Sequence, residues 1–146
     1  MLFIYKISYI ILLNKSTTLK GNLKMANVRY MVNDVDKAVE FYTHLLGFSL
    51  EERWGPAFAI VSHADLKLWI SGPETSAARA MPDGRVPQPG GWNRFVLEVA
   101  DIHSLATRLK QAGVAFRNEI ISGPGGSQVL VEDPSGNPIE LFQAAE

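Results

Sequence analysis

The chain has 146 residues, enough for one ordinary domain. With 47% hydrophobic and 20% charged residues it is not a disordered chain, and the absence of Cys excludes disulfides, thiolate nucleophiles and Cys-based metal sites. A net charge of −1 gives no footing for nucleic acid.

The charge is uneven. Residues 1–24 carry Lys6, Lys15, Lys20 and Lys24 and no acid, so the remaining residues 25–146 hold a net −5. Apolar runs at Met1–Tyr5 and Tyr9–Leu13 are too short to span a membrane. The order of a secretory signal, charged residues first and a small-residue cleavage site last, is not clear. Residues 1–24 are therefore expected to be a non-structural extension upstream of a natural start at Met25, with a targeting leader or weak membrane anchor as the alternative. The expected location is cytoplasmic.

From Asn27 to Val32 apolar and polar residues alternate as in a strand, with Val28, Tyr30 and Val32 on one face. Asn33-Asp34 can cap a helix over about Val35–Leu46, whose apolar positions Val35, Ala38, Val39, Tyr42, Leu45 and Leu46 recur at helical spacing. Gly47 ends it. Strands are predicted at Phe48–Arg53, Ala57–Ser62 and Leu66–Ser71, separated by Gly55-Pro56 and by the turn His63-Ala64-Asp65. Residues 72–91 are a long loop rich in Pro, Gly, Ala and Ser, of the kind that joins modules or covers a site.

The pattern then restarts. A strand at Arg94–Val99 precedes a helix capped by Asp101, with Ile102, Leu105, Ala106 and Leu109 on its apolar face. Strands are predicted at Ala115–Ile120, Ser127–Glu132 and Pro138–Phe142. The glycines of Gly123-Pro124-Gly125-Gly126 open no helix, and Arg117-Asn118-Glu119 precedes them without a following Lys-Ser/Thr. A strand-to-strand turn is a better reading there than a phosphate loop. Val32-Asn33-Asp34-Val35 repeats as Val99-Ala100-Asp101-Ile102, and Lys67-Leu68-Trp69 as Glu140-Leu141-Phe142. The organisation is a first module at 25–71, a linker at 72–91 and a second module at 92–146. The expected class is α+β, with two βαβββ modules forming a curved mixed sheet and the helices outside.

Four stretches carry a family resemblance: Val32-Asn33-Asp34-Val35-Asp36 with Phe41-Tyr42 and Leu46-Gly47-Phe48; Leu97-Glu98-Val99-Ala100-Asp101; Leu109-Lys110-Gln111-Ala112-Gly113-Val114; and Glu132-Asp133-Pro134-Ser135-Gly136-Asn137-Pro138-Ile139-Glu140-Leu141. In order and spacing they resemble the vicinal oxygen chelate superfamily, which includes glyoxalase I, fosfomycin and bleomycin resistance proteins and extradiol dioxygenases. The resemblance covers about residues 26–143. It implies a cleft inside the curved sheet, a small-molecule ligand and a homodimer.

Strand alternation separates two faces. One is hydrocarbon, apart from the Tyr30 hydroxyl. The other carries Asn27, Arg29 and Met31; Lys67, Trp69 and Ser71; Arg94, Val96 and Glu98; and Glu140 and Phe142. If the sheet curves around this second face, its groups converge on a pocket. Metal-binding members of the family place ligands, usually His and Glu, at positions that match about Asn27, Lys67, Arg94 and Glu140. Only Glu140 is a good ligand type there, and Lys and Arg repel a cation. His44, His63 and His103 fall in a helix, a turn and a helix, away from these positions. The expectation is thus no cofactor, with a divalent metal disfavoured.

In its place Glu140 can pair with Arg94 or Lys67. One reading is that Arg29, Lys67, Arg94, Glu98 and Glu140 merely neutralise one another. The other leaves one cation free for an anionic or polar ligand, with Trp69 and Phe142 stacking on its apolar part. Trp54 and Trp92 are candidate rim or dimer residues. Two functions follow: a metal-free protein that binds a small molecule, or a glyoxalase-type lyase or isomerase. In the second, as the resemblance implies, a metal would stabilise an enediolate and Glu140 would move the proton.

Overall fold

The computed structural model describes residues 26–146, so the expected extension at residues 1–24 lies outside the described residues. The first strand, β1 (Asn27–Met31), leads to Asp34, whose carboxylate accepts the Lys37 N–H at 3.1 Å and caps α1 (Val35–Glu40). The predicted helix to Leu46 is not α-helical throughout. From Phe41 to Leu45 it widens into a π turn with Phe41 and Tyr42 both buried, and Gly47 ends it at a φ of 73°. Three strands follow, β2 (Ser49–Trp54), β3 (Phe58–His63) and β4 (Leu66–Ser71). The sheet order is β1-β4-β3-β2, with β1 parallel to β4 and the other pairs antiparallel.

The second module repeats this plan. Its elements are β5 (Phe95–Glu98), α2 (Ile102–Gln111), β6 (Ile121–Gly123), β7 (Gly126–Glu132) and β8 (Pro138–Ala144), in the sheet order β5-β8-β7-β6. Asp101 caps α2 through the Ser104 N–H at 2.9 Å, as its counterpart Asp34 caps α1. Between β6 and β7, Gly123 pairs with Gly126, so the glycine-rich stretch is a hairpin turn.

One predicted strand is displaced. Over Ala115–Ile120 only Phe116 bridges to β7, at Val131, and regular pairing begins at Ile121. The reason is local: the Asn118 side chain accepts the Leu130 N–H at 2.9 Å, in place of a backbone rung. The Arg117 N–H still donates to the Leu130 carbonyl at 2.9 Å, while its guanidinium reaches Glu132 at 2.7 Å and the Gly91 and Gly136 carbonyls.

The hydrocarbon faces read from the sequence form the core. Tyr30, Val32, Leu68 and Ile70 of the first module and Phe95, Leu97, Ile139 and Leu141 of the second are all buried. The modules meet through this same side. The Tyr30 and Phe95 rings lie 5.3 Å apart, and Phe48 packs on Phe95 at 6.2 Å. Polar bonds reinforce the contact. Tyr30 Oη donates to the Pro138 carbonyl at 2.6 Å, and Asn137 Nδ2 donates to the Met31 carbonyl at 2.8 Å. Among the described residues no strand of one sheet is hydrogen-bonded to a strand of the other, and these residues form two four-stranded mixed sheets, open rather than closed into a barrel.

Candidate functional site

Seven of the eight residues expected at the site lie on the sheet faces away from the buried core, and Arg94 adjoins them. In the first sheet Asn27 is in register with Lys67, and Arg29 with Trp69. In the second, Glu140 is in register with Val96, and Phe142 with Glu98. Arg94 stands one residue before β5 and reaches Glu140, its Nε donating to Oε2 at 2.8 Å.

Of the two partners open to Glu140, Arg94 is therefore the one it takes. Lys67 belongs to a different pair, donating to Glu51 Oε2 at 2.7 Å. The β2–β3 register shifts between Leu50 and Glu52, which leaves Glu51 as the extra residue of a bulge. Lys67 and a hydrogen bond from Ser62 hold the Glu51 carboxyl below its ordinary range. Sequence reading missed Glu51 because the strand pattern, taken without the bulge, gives it no partner.

Arg29 differs from both other cations. Among the described residues it has no carboxylate within ion-pair distance. Its Nη1 donates to the hydroxyl of the fully buried Ser71 at 2.7 Å, and its guanidinium lies 5.0 Å from the Trp69 ring and 5.8 Å from Phe58. Glu98 is exposed, and Phe142 is half-buried. Trp92 is exposed and lies 4.7 Å from the Arg117 guanidinium.

The residues thus form two clusters, one per sheet, and not the single pocket expected of them. No hydrogen bond, ion pair or ring contact among the described residues joins one cluster to the other. A groove of about 560 Å³ runs between α1 and the second module, past Phe41, Leu45, Val114 and Pro134, and none of the eight residues lines it. A smaller one of about 260 Å³ takes in only Glu98 of the eight.

The four positions matched to family metal ligands are Asn27, Lys67, Arg94 and Glu140, and their chemistry does not suit a divalent cation. A cation at Glu140 would have to displace a guanidinium, and a cation beside Asn27 would face an ammonium. Among the described residues no three His, Cys, Asp or Glu side chains are grouped to hold a metal ion. His44 and His103 are exposed. His63 ends β3 rather than lying in the turn, and its ring is 5.3 Å from Phe48.

The turn before β8 holds the most buried charge. Asp133 accepts from the Asn137 N–H and Nδ2, the Ser135 N–H and Tyr42 Oη, each at 2.9 Å. Burial raises its carboxyl above the ordinary aspartate range, and the hydrogen bonds from Asn137, Tyr42 and Ser135 oppose that rise. Burial also pushes the Tyr42 phenol well up. This cluster ties the modules together and lies apart from both sheet-face clusters.

Comparison with known proteins places this architecture. The family model described as Glyoxalase/Bleomycin resistance protein/Dioxygenase superfamily matches residues 24–141. The chain is 32% identical to glutathione transferase FosA of Serratia marcescens, over 75% of this chain and 73% of that protein. A superfamily member from Sphaerobacter thermophilus superposes with a TM-score of 0.66 at 26% identity, covering 83% of this chain and 97% of that one. TnmS3, an antibiotic binding protein from a Streptomyces species, superposes with a TM-score of 0.59 at 26% identity, covering 85% and 100%.

Proposed function

The chain belongs to the Glyoxalase/Bleomycin resistance protein/Dioxygenase superfamily, and on that premise we propose that it binds a small polar or anionic molecule on the helix-free faces of its sheets, without a four-ligand metal site. The observation that carries this reading is the Arg94–Glu140 pair. It engages the one carboxylate among the four positions where metal-binding relatives hold their ion. Lys67, already bound to Glu51, adds a second cation to the same set. The likeness to an antibiotic binding protein supports binding without chemistry.

The same reading includes a homodimer. Trp54 and Val96 are large apolar residues of these faces that stay exposed, at 53% and 50%. A second copy laid against those faces would cover them and turn two open clusters into an enclosed site. A second function, a metal-dependent lyase or isomerase acting through Glu140, is supported by the 32% identity to an enzyme, glutathione transferase FosA.

The test combines metal analysis of the purified protein with a glutathione–methylglyoxal turnover assay and a thermal-shift screen of metabolites and antibiotics. The binding reading expects a ligand that raises the melting temperature with chelator present, and no turnover. Stoichiometric Ni, Zn or Fe whose removal abolishes turnover would transfer the assignment to the lyase.

A further inference from the structure

The outer face of the first sheet carries an arrangement that neither ion pair accounts for. Register sets it. Arg29 of β1 stands beside Trp69 of β4; Ser71, two residues further on, stands beside Phe58 of β3; and Phe58 stands beside Trp54 of β2. All five therefore share one face, in two adjacent rows. The rings touch in series. Phe58 meets Trp69 edge-on at 5.8 Å and 90°, and Trp54 meets Phe58 at 5.2 Å. Together they make an aromatic strip that starts at a guanidinium and ends at the half-exposed Trp54.

The cation at its head is held but not neutralised. One bond to Ser71 and the ring faces fix the Arg29 guanidinium, and among the described residues only Nη1 is engaged. A guanidinium has five N–H donors in a planar fork, so Arg29 keeps donors for an outside acceptor. A carboxylate takes two parallel N–H bonds from such a fork. The adjoining strip offers a flat apolar group ring faces and edges on which to stack.

We propose that Arg29, Trp69, Phe58 and Trp54 form a binding site for a planar aromatic carboxylate, with the carboxylate on Arg29 and the ring on the strip. This rests on the reading that the sheet faces bind a small molecule, and it names the class of that molecule. Arg94 and Lys67, each already paired, are not the anion-binding groups.

The experiment uses the full chain and three probes: 2-naphthoate, its neutral amide and cyclohexanecarboxylate. Binding is followed by calorimetry and by tryptophan fluorescence, since two of the three tryptophans, Trp54 and Trp69, lie in the strip. The expected result is that 2-naphthoate binds and quenches, while the amide and the non-aromatic acid each bind at least about tenfold more weakly. Arg29→Gln should weaken 2-naphthoate by about tenfold or more, and Arg29→Lys, which keeps the charge but loses the fork, by less. Trp54→Ala should weaken it several-fold. Arg53→Gln, which removes an equal charge from the residue before Trp54 in β2, should leave binding unchanged.

Equal affinity for acid and amide, or an unchanged affinity in Arg29→Gln, overturns the proposal. So does an equal loss in Arg53→Gln, which marks unspecific charge attraction, and so does a strip closed to the probe by a second copy. If 2-naphthoate fails while another small molecule binds and depends on Arg94, the aromatic-acid assignment falls and the binding function stands. Chelatable metal with turnover, and no ligand in the screen, removes both.

Discussion

Arg94 Nε and Glu140 Oε2 are 2.8 Å apart, so that the residue just before β5 grips the third residue of β8, 46 positions later in the chain. The pair is partly solvated, with the Arg94 side chain 31% exposed and that of Glu140 13%. Its contribution to stability is accordingly small, about 1 kcal/mol. Arg94→Ala and Glu140→Ala are expected to cost about that much each in urea unfolding. The double variant should cost less than the two combined, since both lose the same contact. Ligand affinity should change more than stability does. A loss above about 3 kcal/mol in either single variant, with binding untouched, would mark the pair as purely structural.

The Asp133 cluster predicts a pH effect of definite sign. A carboxyl whose folded pKa is raised favours the folded state while protonated. That contribution is complete below the ordinary aspartate value and is lost as pH rises through the raised one. Asp133→Asn removes the titration. The stability of the natural protein relative to this variant should therefore fall as pH rises from about 3 to 7, as read from melting curves. A flat difference would refute the burial argument. Separately, Tyr42→Phe removes one of four donors to Asp133 and should cost about 1–2 kcal/mol at neutral pH.

Tyr30 extends the argument to alkaline pH. Burial pushes its phenol up to about 12, and its proton is committed to the Pro138 carbonyl. The stabilisation this gives is present below the ordinary phenol value and is lost as pH rises through about 12. Tyr30→Phe should cost about 1 kcal/mol at neutral pH. It should also resist alkaline unfolding better than the natural protein, which circular dichroism against pH would reveal. A steeper alkaline collapse in the variant would contradict this.

Two adjacent glycines give a backbone test. A Cβ on Gly126 would lie 2.1 Å from the Gln143 carbonyl oxygen, at a φ of 141°, whereas a Cβ on Gly125 meets nothing within 4 Å. Gly126→Ala is expected to destabilise by about 3 kcal/mol or more, by steric overlap with β8 and backbone strain. Gly125→Ala should change stability by less than about 0.5 kcal/mol. Equal effects in denaturant unfolding would mean that the turn relaxes.

The sequence was legible wherever one element answers to its own pattern. The repeat of Val32–Val35 at Val99–Ile102 marked both caps. The alternation in Leu66–Ser71 and Pro138–Phe142 separated a core face from a polar one, because strand side chains alternate whatever surrounds them. It failed over Ala115–Ile120, where the Asn118 side chain replaces a rung and no hydrophobic pattern records the substitution. Trp54 and Trp69 were visible as aromatic residues. Ser71 was already legible on the face of Arg29, and Phe58 gained its place there only through strand register.

The order of apolar and polar residues by itself determined the doubled module, the buried face and the set of charges on the other face, since these depend on neighbours a few positions apart. It could not determine which charge meets which. That Glu140 takes Arg94, that Lys67 turns to a bulged Glu51, and that Arg29 is left among rings were decided by tertiary structure. Such pairings depend on the register and reach of side chains brought together from distant strands, and a shift of one position would redistribute them all.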